Sequence, residues 1–173
     1  MTPVSPAKTQ RRRRWVTGYR RLMVTTRSAR DKDVDALRAL AENAYQHYTP
    51  RIGQPPAPVN ADYTDLVARG TTWVAESDHH LLGFIVLLEG EGYLLLDNVA
   101  VDPRAQGCGI GSALLSLAED EARRRGHREI RLYTNEAMTE NLDYYPRKGY
   151  LETHRGTQDG YRRVYFSKSI HPG

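Results

Sequence analysis

The spacing of hydrophobic positions switches period along this chain, and each switch marks an element. Residues 22–28 carry a short β-prone run, after which Val34, Leu37, Ala41, Ala44, Tyr45 and Tyr48 recur at helical spacing. Asp31 or Asp33 is expected to cap that helix. Residues 49–60 hold four prolines and one glycine, which predicts a loop. Residues 62–69 read as a short helix ended by Gly70. Residues 71–76, 81–89 and 93–101 read as strands with hairpin-length separators. Further on, Ile110, Ala113, Leu114, Leu117, Ala118 and Ala122 share one helical face. A strand at 129–134, a helix at 138–145 and an antiparallel pair at 151–157 and 161–169, turning at Asp159-Gly160, complete the series. The order βααβββαβαββ predicts an α/β (α+β) fold with a mixed central sheet and helices on both faces. The strand at 93–101 is apolar on both faces and is expected at the centre. Helices and strands alternate only in the second half, so a fully parallel doubly wound sheet is not expected.

Composition narrows the class. The 173 residues are 39% hydrophobic and 27% charged, as in a soluble globular chain with one sizeable core. No apolar run reaches the length of a membrane span. The lone cysteine, Cys108, cannot form an internal disulfide and fits a reducing compartment. The formal charge of +4 is concentrated in Arg11, Arg12, Arg13, Arg14, Arg20 and Arg21, with no acidic residue before position 22; without them the charge is slightly negative. We read residues 1–21 as a basic, flexible tail and 22–170 as a single domain, with Met23 a candidate natural start. No apolar segment of an export signal follows the arginines, so a cytoplasmic location is expected. Neither a membrane nor a nucleic acid is an expected partner. No spacing of His, Cys or carboxylates suggests a metal site, and His79 and His80 fall in a predicted hairpin.

The most informative stretch runs from an apolar strand through Gln106-Gly107-Cys108-Gly109-Ile110-Gly111 directly into an amphipathic helix. Glycines allow positive φ and close approach, so successive amides can converge on a phosphate at the positive end of the helix dipole. The alternating glycines do not match a dinucleotide fingerprint, and the chain has no Gly-Lys-Ser or Gly-Lys-Thr ending of a P-loop. What remains is Gln-x-x-Gly-x-Gly at Gln106, Gly109 and Gly111, preceded by Arg104. This string resembles the acyl-CoA pyrophosphate loop of the GNAT N-acetyltransferase superfamily. A second match, Asn141 followed by Tyr145-x-x-x-Gly149-Tyr150, lies in the right order after it.

The resemblance covers residues 22–169 and implies a GNAT-like, mostly antiparallel sheet and acetyl-CoA as co-substrate, with no metal. It implies that the strand at Asn98, Val99, Ala100 and Val101 offers backbone groups to the pantetheine and the thioester carbonyl. Asn141 would bond the cofactor arm, and Arg104, Gln106, Gly107, Cys108, Gly109, Ile110 and Gly111 would hold the diphosphate. Tyr145 would be the general acid toward the CoA sulfur. Two positions depart from the usual pattern. Cys108 stands where relatives often carry a basic residue, leaving Arg104 to compensate, and Pro146 is expected to end or kink the helix at Tyr145.

The general base stays open among Asp97, ranked first, Glu136 and His47. Acceptor recognition is expected from the irregular segment 48–63, with Tyr48, Arg51 and Tyr63 as candidates, and from the last hairpin. The reading is an N-acyltransferase that moves acetyl to a primary amine of a small molecule by direct attack in a ternary complex. The alternatives are acetylation of a protein N-terminus, a lysine or aminoacyl-tRNA, or a CoA-binding regulatory module without turnover. Dimers are common among relatives, so a homodimer is also open.

Overall fold

The computed structural model describes residues 23–171; the arginine-rich segment 1–21 lies outside the described residues. The elements are β1 Thr25–Ser28, α1 Val34–Tyr45, α2 Thr49–Ile52, α3 Tyr63–Ala68, β2 Thr72–Ser77, β3 His80–Glu89, β4 Leu94–Val101, α4 Ile110–Arg124, β5 Glu129–Asn135, α5 Thr139–Arg147, β6 Leu151–Gln158 and β7 Tyr161–Ser169. The strands form one sheet in the order β1-β2-β3-β4-β5-β7-β6. Only the β4–β5 pair is parallel. The mixed, mostly antiparallel sheet with β4 at its centre is therefore as expected.

Each face of the sheet carries its own apolar layer. On one face α1 and α3 bring Val34, Leu37, Leu40, Ala41, Tyr63 and Val67 against Val74, Phe84, Val86 and Ala100. On the other, α4 packs Ile110, Leu114, Leu115, Ala118 and Ala122 against Ile85, Leu87, Leu94, Leu96, Ile130 and Leu132. Leu115 is buried there in place of the expected Ala113.

Three local expectations are corrected. The proline-rich segment contains a helical turn, α2, because Pro50 sits where no amide donor is needed, and a 3-10 turn at Ala57–Asn60 follows. Helix α5 does not end at Tyr145 but continues through Pro146 to Arg147. A proline this close to the end of a helix forfeits little of the hydrogen-bond ladder. Asp33 occupies the capping position of α1 without capping it. Its carboxylate instead accepts from the Arg30 amide at 2.8 Å and from the Arg27 guanidinium at 2.7 and 3.1 Å.

Two features of β4 open a cleft in the middle of the sheet. Val86 of β3 faces Asn98 and Leu87 faces Leu96, so Asp97 is an extra, bulged residue. The bulge reverses the alternation of faces. Before it Leu94 and Leu96 pack toward α4; after it Val99 and Val101 do, while Ala100 turns to the α1 side. Pairing with β5 covers only Leu94 to Leu96. Beyond that point β4 and β5 separate.

Candidate active site

The turn after β4 is shaped by its glycines. Gly107 and Gly109 hold φ of 77° and 87°, in the left-handed region, and Gly109 is the residue immediately before α4. The amides of Ile110, Gly111 and Ser112 then begin the helix without intrahelical acceptors, which is the geometry that binds anions. A side chain at Gly111 would meet the Tyr144 hydroxyl at 2.9 Å, so this position lets α5 close against the start of α4. Gln106, Gly107, Gly109, Ile110 and Gly111 line a cleft of about 550 Å³, which continues past Val99, Ala100 and Val101 to Tyr48, Asn141 and Tyr145. The cleft thus runs from the helix-start amides to the Tyr145 ring.

Two residues expected to hold the diphosphate are not among those lining this cleft. The exposed Arg104 side chain is bonded to Asp102 at 2.8 and 3.1 Å and lies outside this cleft. Cys108 is exposed and also does not line it. The positive charge on the cleft wall comes from Arg147, with Lys148 nearby, its Nζ donating to Ser112 Oγ at 2.8 Å. Sequence reasoning missed both, although they stand inside the segment 141–150 that it singled out.

A second, smaller cavity of about 120 Å³ adjoins the cleft, lined by Asp97, Asn98, Tyr133, Asn135, Met138 and Arg163 among others. The two spaces share Tyr45, Val99, Asn141 and Tyr145. Asn141 is held there by its side-chain amide, which donates to Thr134 Oγ1 at 3.0 Å. Tyr145 is 5% exposed, and burial, followed by its tyrosine neighbours, pushes its phenol well above the ordinary value.

Asp97 reaches the smaller cavity and accepts from the Tyr133 hydroxyl at 2.7 Å. Burial and the adjacent carboxylate both raise the Tyr133 phenol, which keeps it a donor. Tyr133 thus holds one oxygen of a carboxylate that lines the cavity. Glu136 is drawn into an ion pair with Arg162 at 2.9 Å, and His47 lies tilted against the Tyr48 ring; neither lines the two spaces.

Asn98 is buried and serves the scaffold with its side chain. Its Nδ2 donates to the Tyr63 hydroxyl at 3.0 Å, and Tyr63 donates to the Pro58 carbonyl at 2.7 Å. The Tyr45 hydroxyl lies 2.8 Å from Asn98 Oδ1 and also bonds the Val99 carbonyl. With one proton it donates to one of them at a time, and burial raises its pKa strongly. Tyr45 was legible only as one apolar position of α1.

None of the three acceptor candidates lines the smaller cavity. Tyr63 is fully buried, Tyr48 faces the larger cleft, and exposed Arg51 pairs with Glu140 at 2.8 Å. The proline-rich segment does contribute, but through Ile52, Pro56, Ala57 and Pro58. Among the described residues no group of three His, Cys, Asp or Glu could hold a metal ion, and no helix is long and apolar enough to cross a membrane.

With this geometry in view, the model of the Acetyltransferase (GNAT) family matches residues 34–150. Among solved structures, the PaiA N-acetyltransferase of Thermoplasma acidophilum in complex with coenzyme A is similar with a TM-score of 0.72 and 20% identity, over 86% of this chain and 99% of that one. The ribosomal-protein-S18-alanine N-acetyltransferase of Escherichia coli gives 0.67 and 20%, over 87% and 96%. Nourseothricin acetyltransferase gives 0.66 and 23%, over 86% and 99%. No curated protein matches the chain.

Proposed function

The chain belongs to the GNAT acetyltransferase family, and from that premise we propose that it transfers acetyl from acetyl-CoA to the primary amine of a small molecule, by direct attack in a ternary complex. The similar structures include one named for a ribosomal-protein alanine and one for nourseothricin, so likeness does not choose the acceptor. The observation that carries the reading is the meeting of two spaces at Tyr45, Val99, Asn141 and Tyr145. One is long and bounded by the anion-binding turn; the other is small and holds a carboxylate.

The residues present fit acetyl-CoA. Amides at 109–112 and Arg147 suit its phosphates, and the strand at Val99 to Val101, unpaired toward β5, suits its extended arm. Bound there, the co-substrate supplies an acetyl carbonyl that gains a C–N bond to the amine as its C–S bond breaks. Asp97, oriented by Tyr133, takes the proton the amine must lose, directly or through a water. Tyr145 holds its proton at the junction and donates it, or a hydrogen bond, to the departing sulfur. Asn141, anchored to Thr134, positions the arm. Direct attack is favoured over a cysteine-bound intermediate because Cys108 lines neither space.

Calorimetry with acetyl-CoA, followed by thiol release on adding a panel of primary amines, tests this. Binding should be saturable and thiol release should require an amine. Binding without release for any amine would sink the reading, as would a thiol burst in the absence of amine.

A further inference from the structure

Among the described residues, the buried cation on the wall of the smaller cavity has only a long carboxylate contact, made to a solvent-exposed side chain. Arg163 of β7 is 8% exposed. Its guanidinium donates to the neutral Gln158 Oε1 at 2.9 Å and lies 4.1 Å from the centre of the Tyr133 ring. Its carboxylate contact, Asp159, is 3.9 Å away with a side chain 74% exposed. A contact that long to a solvated group returns little of the cost of desolvating a guanidinium. The charge is nevertheless kept inside, on the wall of the cavity that faces the junction. The neighbouring Arg162 illustrates the alternative, since it stays 74% exposed and pairs with Glu136.

Tyr133 links this cation to Asp97. Its hydroxyl donates to Asp97, while Arg163 lies over its ring face. The cavity therefore presents a carboxylate at the Tyr133 hydroxyl and a guanidinium over the face of the same ring, with Ile52, Pro56, Leu96 and Met138 as apolar wall. A bare amine would satisfy only the carboxylate. A molecule with an ammonium and a carboxylate would satisfy both ends, and the guanidinium can take a carboxylate in two parallel hydrogen bonds.

We propose that the acceptor is a small primary amine bearing a carboxylate, of amino-acid size and with an apolar side chain, and that Arg163 binds the carboxylate while Asp97 receives the amine. The proposal rests on the acetyltransferase reading above and names its substrate class. Arg163 is a specificity determinant in it and takes no part in the proton transfers.

The test measures kcat/KM by thiol release at saturating acetyl-CoA. The acceptors are L-leucine, L-methionine and L-phenylalanine, each beside its amide and its decarboxylated amine. The carboxylate forms should be preferred on the order of 30-fold or more, mainly through KM, as expected for a desolvated charge pair. In Arg163→Gln the preference should collapse to near unity, and Arg163→Lys should keep part of it, a pattern that a merely structural arginine would not give. Equal use of acids, amides and amines by the unaltered enzyme would overturn the proposal, and this holds even if the variants fail to fold. So would a preference that survives in Arg163→Gln, or better turnover of a peptide N-terminus than of any free amino acid. In those cases thiol release still occurs and acetyl transfer from acetyl-CoA stands, although a peptide preference would replace the small-molecule acceptor as well. Failure of every amine, with acetyl-CoA bound, would remove that reading and this one together.

Discussion

Tyr145 lies among the rings of Tyr144, Tyr150 and Phe166, whose centroids are 5.5, 5.8 and 5.8 Å away, and this apolar setting decides what its hydroxyl can do. Burial makes the phenolate costly, so the proton stays on oxygen at neutral and mildly alkaline pH. Such a phenol stabilises a developing thiolate chiefly as a hydrogen-bond donor and gives its proton up only as the charge on sulfur grows. Tyr145→Phe is expected to lower kcat by about 10²-fold with little change in KM for acetyl-CoA, because the contact forms only as sulfur leaves. Since the folded pKa is raised, Tyr145 should impose no alkaline fall in kcat below pH of about 10. Steady-state kinetics of the parent and variant from pH 6 to 10 check both points, and an undiminished kcat would remove Tyr145 as donor. Tyr145 was visible in the sequence because its spacing from Asn141 and Gly149 forms a motif. Arg163 was not, because Arg162 and Arg163 read as one polar pair. Only the pairing of β7 with β5 turns one of them outward to Glu136 and the other inward over Tyr133.

At the scale of elements, periodicity identified the strands and long helices, since each buries one regular stripe, and the glycine pattern located the turn before α4. What periodicity could not give was the bulge at Asp97, which depends on how β3 and β4 register across the sheet. That irregularity turns Asp97 toward the smaller cavity, and the parting of β4 from β5 beyond Leu96 exposes the strand that faces the larger one. The short helix α2 was hidden for a different reason: four prolines in twelve residues suggest a loop, whereas Pro50 stands at a helix start that tolerates it. The turn itself also behaves differently from the simplest expectation. A Cβ at Gly109 would meet nothing within 4 Å, so crowding is not the constraint; the φ of 87° is. Gly109→Ala is therefore expected to cost about 1–2 kcal/mol of stability and to weaken acetyl-CoA binding as the turn relaxes toward negative φ and its amides diverge. Thermal melts and calorimetry would report this together. Unchanged affinity would mean that the turn does not hold the phosphates.

For the molecule as a whole, the question is what fastens the first edge of the sheet to the helices above it. Strand β1 is four residues long and, among the described residues, pairs only with β2, so that backbone bonding holds it weakly. Arg27 on β1 compensates by reaching Asp33, just before α1, at 2.7 Å and Glu76 on β2 at 2.8 Å. The guanidinium holds both carboxylates below their usual range, and Asp33, the more buried of the two, gains further from the Arg30 amide. A carboxylate whose folded pKa is depressed contributes its full stability above the unfolded value of about 4 and loses it as pH falls through the lower folded value. Asp33→Asn keeps the shape but removes the charge and should destabilise the protein at pH 7 by about 2 kcal/mol, the scale of a charge-assisted hydrogen bond. The gap between parent and variant should hold from pH 7 to about 5, begin to narrow as the pH falls through about 4, and close only below the depressed folded value, where the parent's carboxylate is protonated too. Chemical denaturation of both proteins across that range follows the gap directly. A difference that stayed constant into acid would show that Asp33 acts through its amide contact and packing, and that the ion triad does not pin β1 to α1.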